Sequence, residues 1–156
     1  MKQVPTKNKR INIWQYQFIL ARRLAWWGVM SFAVGLAFFS SETFFRGFSI
    51  QAIAWGLLEA AMAVGGAMLT VKRRSQLPDP AAQEVLAKET LQLRKLLRWM
   101  LPLDVLYVIV GLVLIFTWGR KDSWWLGTGW GVVVQGVVLL GFDWFHVKQM
   151  PVYAKE

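Results

Sequence analysis

Four apolar stretches, each about 20 residues or longer, constrain this chain more than any other feature. They run from Leu24 to about Thr43, from Phe48 to Val71, from Trp99 to Trp118 and from Trp124 to Phe145. A helix rising about 1.5 Å per residue needs about 20 apolar residues to cross ~30 Å of hydrocarbon. Apart from Glu42 at the very end of the first, only Glu59, Asp104 and Asp143 are acidic within the stretches, and Arg46 lies in the turn that opens the second. The runs are too long for strands and lack period-two alternation. With 56% hydrophobic and 17% charged residues, a chain of 156 residues cannot hide its apolar surface in one soluble core. The expected fold is all-α: a four-transmembrane-helix bundle of two helical hairpins.

The basic residues predict the orientation. With the N-terminus in the cytoplasm, 15 of the 18 Lys and Arg lie inside: those of the leader up to Arg23, of the 72–98 segment, and Lys148 and Lys155. Arg46, Arg120 and Lys121 lie outside. That asymmetry is the positive-inside pattern, so both termini are expected in the cytoplasm of a multi-pass cell-membrane protein. Trp26, Trp27, Trp99 and Trp144 mark one interface, and Trp118, Trp124 and Trp125 the other. Indole rings favour that depth because the N–H stays hydrated while the ring is buried. The first stretch reads as an uncleaved helix, since its basic leader is long and no small-x-small site follows Phe39.

Composition also excludes chemistry. There are no cysteines and one histidine, His146. Disulfides, thiolate metal centres and bis-histidine haem are thereby removed. No P-loop, G-x-G-x-x-G or G-x-S-x-G pattern occurs. No catalytic residue, metal or cofactor is expected, and the chain is not read as an enzyme. The net charge of +9 follows from membrane topology rather than from nucleic-acid binding. The expected partners are the lipid bilayer, anionic headgroups, and a homo-oligomer or larger membrane complex.

The layout follows. Residues 1–23 form a cytoplasmic or interfacial segment, in which Ile11, Trp14 and Phe18 lead into Arg22 and Arg23. Residues 24–71 form the first hairpin, 72–98 an amphipathic helical linker, 99–146 the second hairpin and 147–156 a tail. Asp79-Pro80 reads as a helix start, after which Val85, Leu86, Leu93, Leu96 and Leu97 recur at helical spacing. Pro102 removes one backbone hydrogen bond near the membrane entrance, so a bend is expected there. The hairpins look like parallel copies. Trp55-Gly56-Leu57-Leu58 matches Trp130-Gly131-Val132-Val133 at an offset of 75, and Gly35-Leu36 matches Gly111-Leu112 at 76.

The fourth span carries Gly127-Thr-Gly129-Trp-Gly131, then Gln135-Gly136, Leu139-Leu140 and Phe142-Asp143. The third has a Leu103-Asp104-x-x-Tyr107 step and the second has Trp55-Gly56. This pattern resembles a family of uncharacterised bacterial four-helix membrane proteins, a domain of unknown function. The resemblance covers the membrane part and implies the fold without an activity.

Polar residues inside the spans are the candidate site. Glu59 lies near the centre of the second span, with Ala52, Ala63, Gly66 and Thr70 on its side. A carboxylate there is costly when ionised, so a protonated or paired group facing the bundle is expected. Gln135 is its expected neighbour. Asp104 and Asp143 lie at similar depth near the basic side, with Arg22, Arg23 and Arg98 as expected partners; the alternative is a shallow polar pocket that includes His146. Gly56, Gly66, Gly111, Gly127 and Gly131 are the expected helix-packing positions. The balance of residues favours a structural, accessory or interaction protein of the membrane. The alternative is a small proton- or ion-coupled transporter or channel using Glu59.

Overall fold

A computed structural model describes residues 11–151. The leader residues Lys2, Lys7, Lys9 and Arg10 and the tail residue Lys155, used above for orientation, lie outside the described residues. Four long helices make up the fold: α1 (Ile13–Ala37), α2 (Thr43–Ser75), α3 (Gln83–Phe116) and α4 (Ser123–Gln149). All four are long and apolar enough to cross a membrane. α1 packs on α2 and α3 on α4, forming two hairpins, and α2 packs on α4 to join them. α1 and α3 therefore occupy the outer positions.

The helices start and stop where local chemistry dictates. Asn12 caps α1 in a capping box: its Oδ1 accepts from Gln15 N at 2.9 Å, while Gln15 Oε1 accepts from Asn12 N at 3.3 Å. Asp122 caps α4 by accepting from Trp124 N at 2.8 Å. α2 ends on Lys72, Arg73 and Arg74, cations that suit the negative end of the helix dipole. Asp79 does not start α3. Its Oδ1 accepts from Ala81 N at 2.9 Å and caps a turn, and the helix begins at Gln83. From there α3 is a single helix through Pro102 into the membrane.

The basic end carries a small core of its own. Ile13, Trp14 and Tyr16 are buried in a small core with Leu97 of α3 and Met150. Trp14 Nε1 donates to Pro80 O at 2.8 Å, tying α1 to the α2–α3 connection. In addition, α2 and α3 extend well past the spans: their 33 and 34 residues measure about 50 Å each, against ~30 Å of hydrocarbon. The projecting ends are joined by Arg73, which pairs with Glu89 and donates to Gln92 Oε1 at 2.7 Å.

Glycines set the distance between helices. A Cβ built on Gly56 would stand 2.6 Å from Gly28 O, and one on Gly28 would stand 2.7 Å from Gly56 O. α1 and α2 thus touch backbone to backbone. The second hairpin repeats these contacts. Gly35 faces Ile53 and Ser49 O, as Gly111 faces Val133 and Gly129 O; Gly56 faces Gly28 O and Phe32 N, as Gly136 faces Asp104 O and Val108 N. The hairpins are therefore parallel copies, but their register differs from the Trp-Gly match. α1 maps on α3 at an offset of 76, and α2 maps on α4 at 80, so Gly56 corresponds to Gly136 rather than to Gly131. The four extra residues fall between Gly111 and Gly129, where the α3–α4 turn lies, and amount to about one helical turn. The same relation governs the α2–α4 seam: a Cβ on Gly47 would run into Trp124 O, and one on Gly127 into Phe44 O.

Candidate functional site

Glu59 is 1% exposed, and its two carboxyl oxygens have no hydrogen-bond partner among the described residues. It lies at the Gly28–Gly56 crossing, where a Cβ on Gly28 would come 3.3 Å from Glu59 Cβ. The expected neighbour Gln135 is close by but engaged elsewhere. Gln135 Nε2 donates to Ser31 Oγ, and Ser31 in turn donates to Ala52 O at 3.2 Å. Gln135 Oε1 accepts from the Trp27 indole at 3.1 Å. That indole N–H is also the donor nearest to hydrogen-bonding the Glu59 carboxyl, but its well-aligned bond goes to Gln135. The result is a chain of hydrogen bonds from Trp27 of α1 to Gln135 of α4, back to Ser31 of α1 and on to α2, with a buried carboxyl beside it.

This chain has a counterpart in the other half. Trp55 Nε1 donates to Tyr107 Oη. By the 76/80 correspondence Trp55 matches Gln135 and Tyr107 matches Ser31. Each central helix thus sends one donor to a hydroxyl on the outer helix of the opposite hairpin. Glu59 has no acidic counterpart, since its matching position is Leu139. The carboxyl is an asymmetric addition to a symmetric frame.

Asp104 and Asp143 come together as expected, each 8% exposed and near enough to repel. Their expected arginine partners do not reach them. Among the described residues Asp104 Oδ2 has no hydrogen-bond partner, and the ion pair joins Arg73 to Glu89 instead. Arg23 Nη1 stands 3.1 Å from His146 Nε2 and over the Phe145 ring. His146 Nδ1 is 2.7 Å from Phe142 O, so it carries the proton and Nε2 accepts from Arg23. Tyr16 Oη donates to His146 O at 2.9 Å. His146 is therefore part of an α1–α4 lock at the basic end, separate from the paired acids.

The other candidate residues sort by what they touch. Gly56 packs on α1, Gly111 on α4, and Gly127 and Gly131 on Phe44 and Gln51 of α2. Gly66 does not pack: a Cβ there would meet nothing within 4 Å, and Gly65 is equally open. Helical spacing placed Gly66 on the side of Glu59, but the bundle does not extend over it. Three contributors were missed by sequence reading: Gly28, Ser31 and Trp27. The small residues Gly28, Ser31 and Gly35, at spacings of three and four, are the signal that marks this face of α1. Trp27 reads as a border residue in the sequence, and only the packing turns its indole inward.

No curated protein and no solved structure matches the chain. A family of unknown function (DUF6992) matches residues 23–144, which contain the Glu59 cluster, the paired acids and most of all four helices. This chain, a four-span membrane protein, belongs to that family of unknown function.

Proposed function

We propose that this protein binds and releases a proton inside the membrane through Glu59, as a small proton- or ion-coupled membrane protein. The observation that carries this reading is the carboxyl itself, buried in mid-span with both oxygens unpartnered. A structural glutamate would satisfy itself on a neighbouring helix, and the expected partner, Gln135, is bonded to Ser31 and Trp27. Ionisable groups inside spans are expensive and mark pathways for protons and ions. Trp27 supplies a donor that can turn from Gln135 to Glu59 when the carboxyl ionises.

The test is an infrared pH titration of the full chain in mild detergent. A protonated-carboxyl band should change with pH in the wild type and be absent in Glu59→Gln, while thermal unfolding remains cooperative. If the Glu59→Gln spectrum matches wild type throughout, Glu59 exchanges no proton and the reading fails.

A second reading, an accessory or interaction protein, is favoured by the backbone-tight seam at Gly47 and Gly127. Such a seam suits a rigid scaffold. Both readings place the basic end in the cytoplasm of the cell membrane. Reporters fused after Lys72 and at the C-terminus are expected to read cytoplasmic, and reporters near Glu42 and Lys121 external. A C-terminal reporter on the opposite side from the Lys72 fusion would leave an odd number of crossings between them and rule out this topology.

A further inference from the structure

The backbones of α2 and α3 do not pack together, and long side chains bridge the gap at two levels. Trp55–Tyr107 forms one bridge, and Arg73 with Glu89 and Gln92 forms the other. The bridges are eighteen residues apart on both helices, about 27 Å by helical rise. On α2, Met62, Gly66 and Leu69 continue the face that carries Trp55 and Arg73. On α3, Leu96, Met100 and Leu103 continue the face that carries Glu89 and Tyr107. Between the bridges these faces are uncovered. Met62, Leu69, Leu96 and Leu103 are each more than half exposed, and nothing lies within 4 Å of a Cβ on Gly65 or Gly66. α1 and α4 differ, because Arg23, Trp27 and Ser31 reach across to His146 and Gln135 in successive turns.

We infer that this groove holds one acyl chain of an anionic phospholipid, with the headgroup at its basic end. Lys72 of α2 and Lys95 of α3 are exposed there, on the outward side of the groove, with Trp99 one turn deeper than Lys95. Two ammonium groups flanking an apolar channel match a negative headgroup above a hydrocarbon tail. An indole at that depth suits the boundary between them. A second copy of the chain fits worse. In a common membrane orientation it would bring the same lysines and arginines against these.

The test uses the full chain in nanodiscs of equal phosphatidylglycerol and phosphatidylcholine, extracted gently and read by native mass spectrometry. Wild type should retain phosphatidylglycerol preferentially. Gly66→Leu, which fills open space, should lose that lipid while melting no lower than wild type. The double variant Lys72→Gln, Lys95→Gln should weaken retention by roughly thirty-fold, the effect of two lysines beside an anionic headgroup. Equal retention of the two lipids by wild type overturns the proposal. So does unchanged retention in either variant, or a dimer that Gly66→Leu dissociates with lipid retention unaltered. Should Gly66→Leu fail to fold, the surface double variant decides alone.

Discussion

Gly127→Ala is expected to destabilise the bundle by about 3 kcal/mol or more, the upper range for forcing an extra methyl group into a packed interior. The added Cβ would enter the space of Phe44 O, on the backbone of α2, and a backbone cannot turn aside as a flexible side chain can. The helices must separate along the seam instead. Gly131→Ala should cost less, because its nearest atom, Gln51 Cβ, stands 2.7 Å away, a milder clash than the overlap with Phe44 O, although a Cβ is held by its backbone and still demands a shift of α2. Gly66→Ala should be neutral or stabilising by up to about 1 kcal/mol, from helix propensity alone. Thermal or chemical unfolding of the three variants in one detergent checks this order. Equal effects at positions 127 and 66 would show that α2 and α4 do not meet as described.

Glu59→Leu is expected to stabilise the protein by about 1–3 kcal/mol, the cost of a buried polar group left without a partner. Little is lost in exchange, since the donor beside the carboxyl, the Trp27 indole, is already bonded to Gln135. Glu59→Gln should be closer to neutral, because an amide is also polar but carries no charge. Both variants should lose whatever proton coupling the protein performs, because neither side chain titrates. Stability rising as function falls is the signature of a group retained for its chemistry. A marked loss of stability in Glu59→Leu would instead reveal bonds that hold α2 to its neighbours, and would return Glu59 to a purely structural role.

The spans were legible because lipid demands about 20 apolar residues and leaves little ambiguity. The tight hairpins and the burial of Glu59 followed from that layout. What the sequence concealed has a common cause. Helical spacing tells which residues share a face, but not how far a neighbouring helix runs along it. Gly56 and Gly66 read alike, yet one touches the backbone of α1 and the other faces open space. The repeat was visible in Gly35 and Gly111, but the Trp55-Gly56 and Trp130-Gly131 pairs gave a register five residues away from the contacts. Arg23 was expected beside the acids because opposite charges attract. His146, which accepts a hydrogen bond from it at the α1–α4 contact, sits nearer.

The two-hairpin plan also dictates an order of assembly. Gly28 meets Gly56 and Gly111 meets Gly129 within one hairpin, across short stretches of chain. Each pair can close as soon as its second helix enters the bilayer, before the rest of the protein exists. The donors Gln135 and Trp55 find Ser31 and Tyr107 only when the completed hairpins dock. Until then Trp55, Tyr107 and Gln135 lack these partners in lipid, while Ser31 donates only to Ala52 O of its own hairpin, a penalty that docking relieves in one step. The nascent protein therefore passes through a stage in which the first hairpin is complete and its polar side is exposed. That stage is the point of greatest exposure to quality control, and synthesis of α4 ends it.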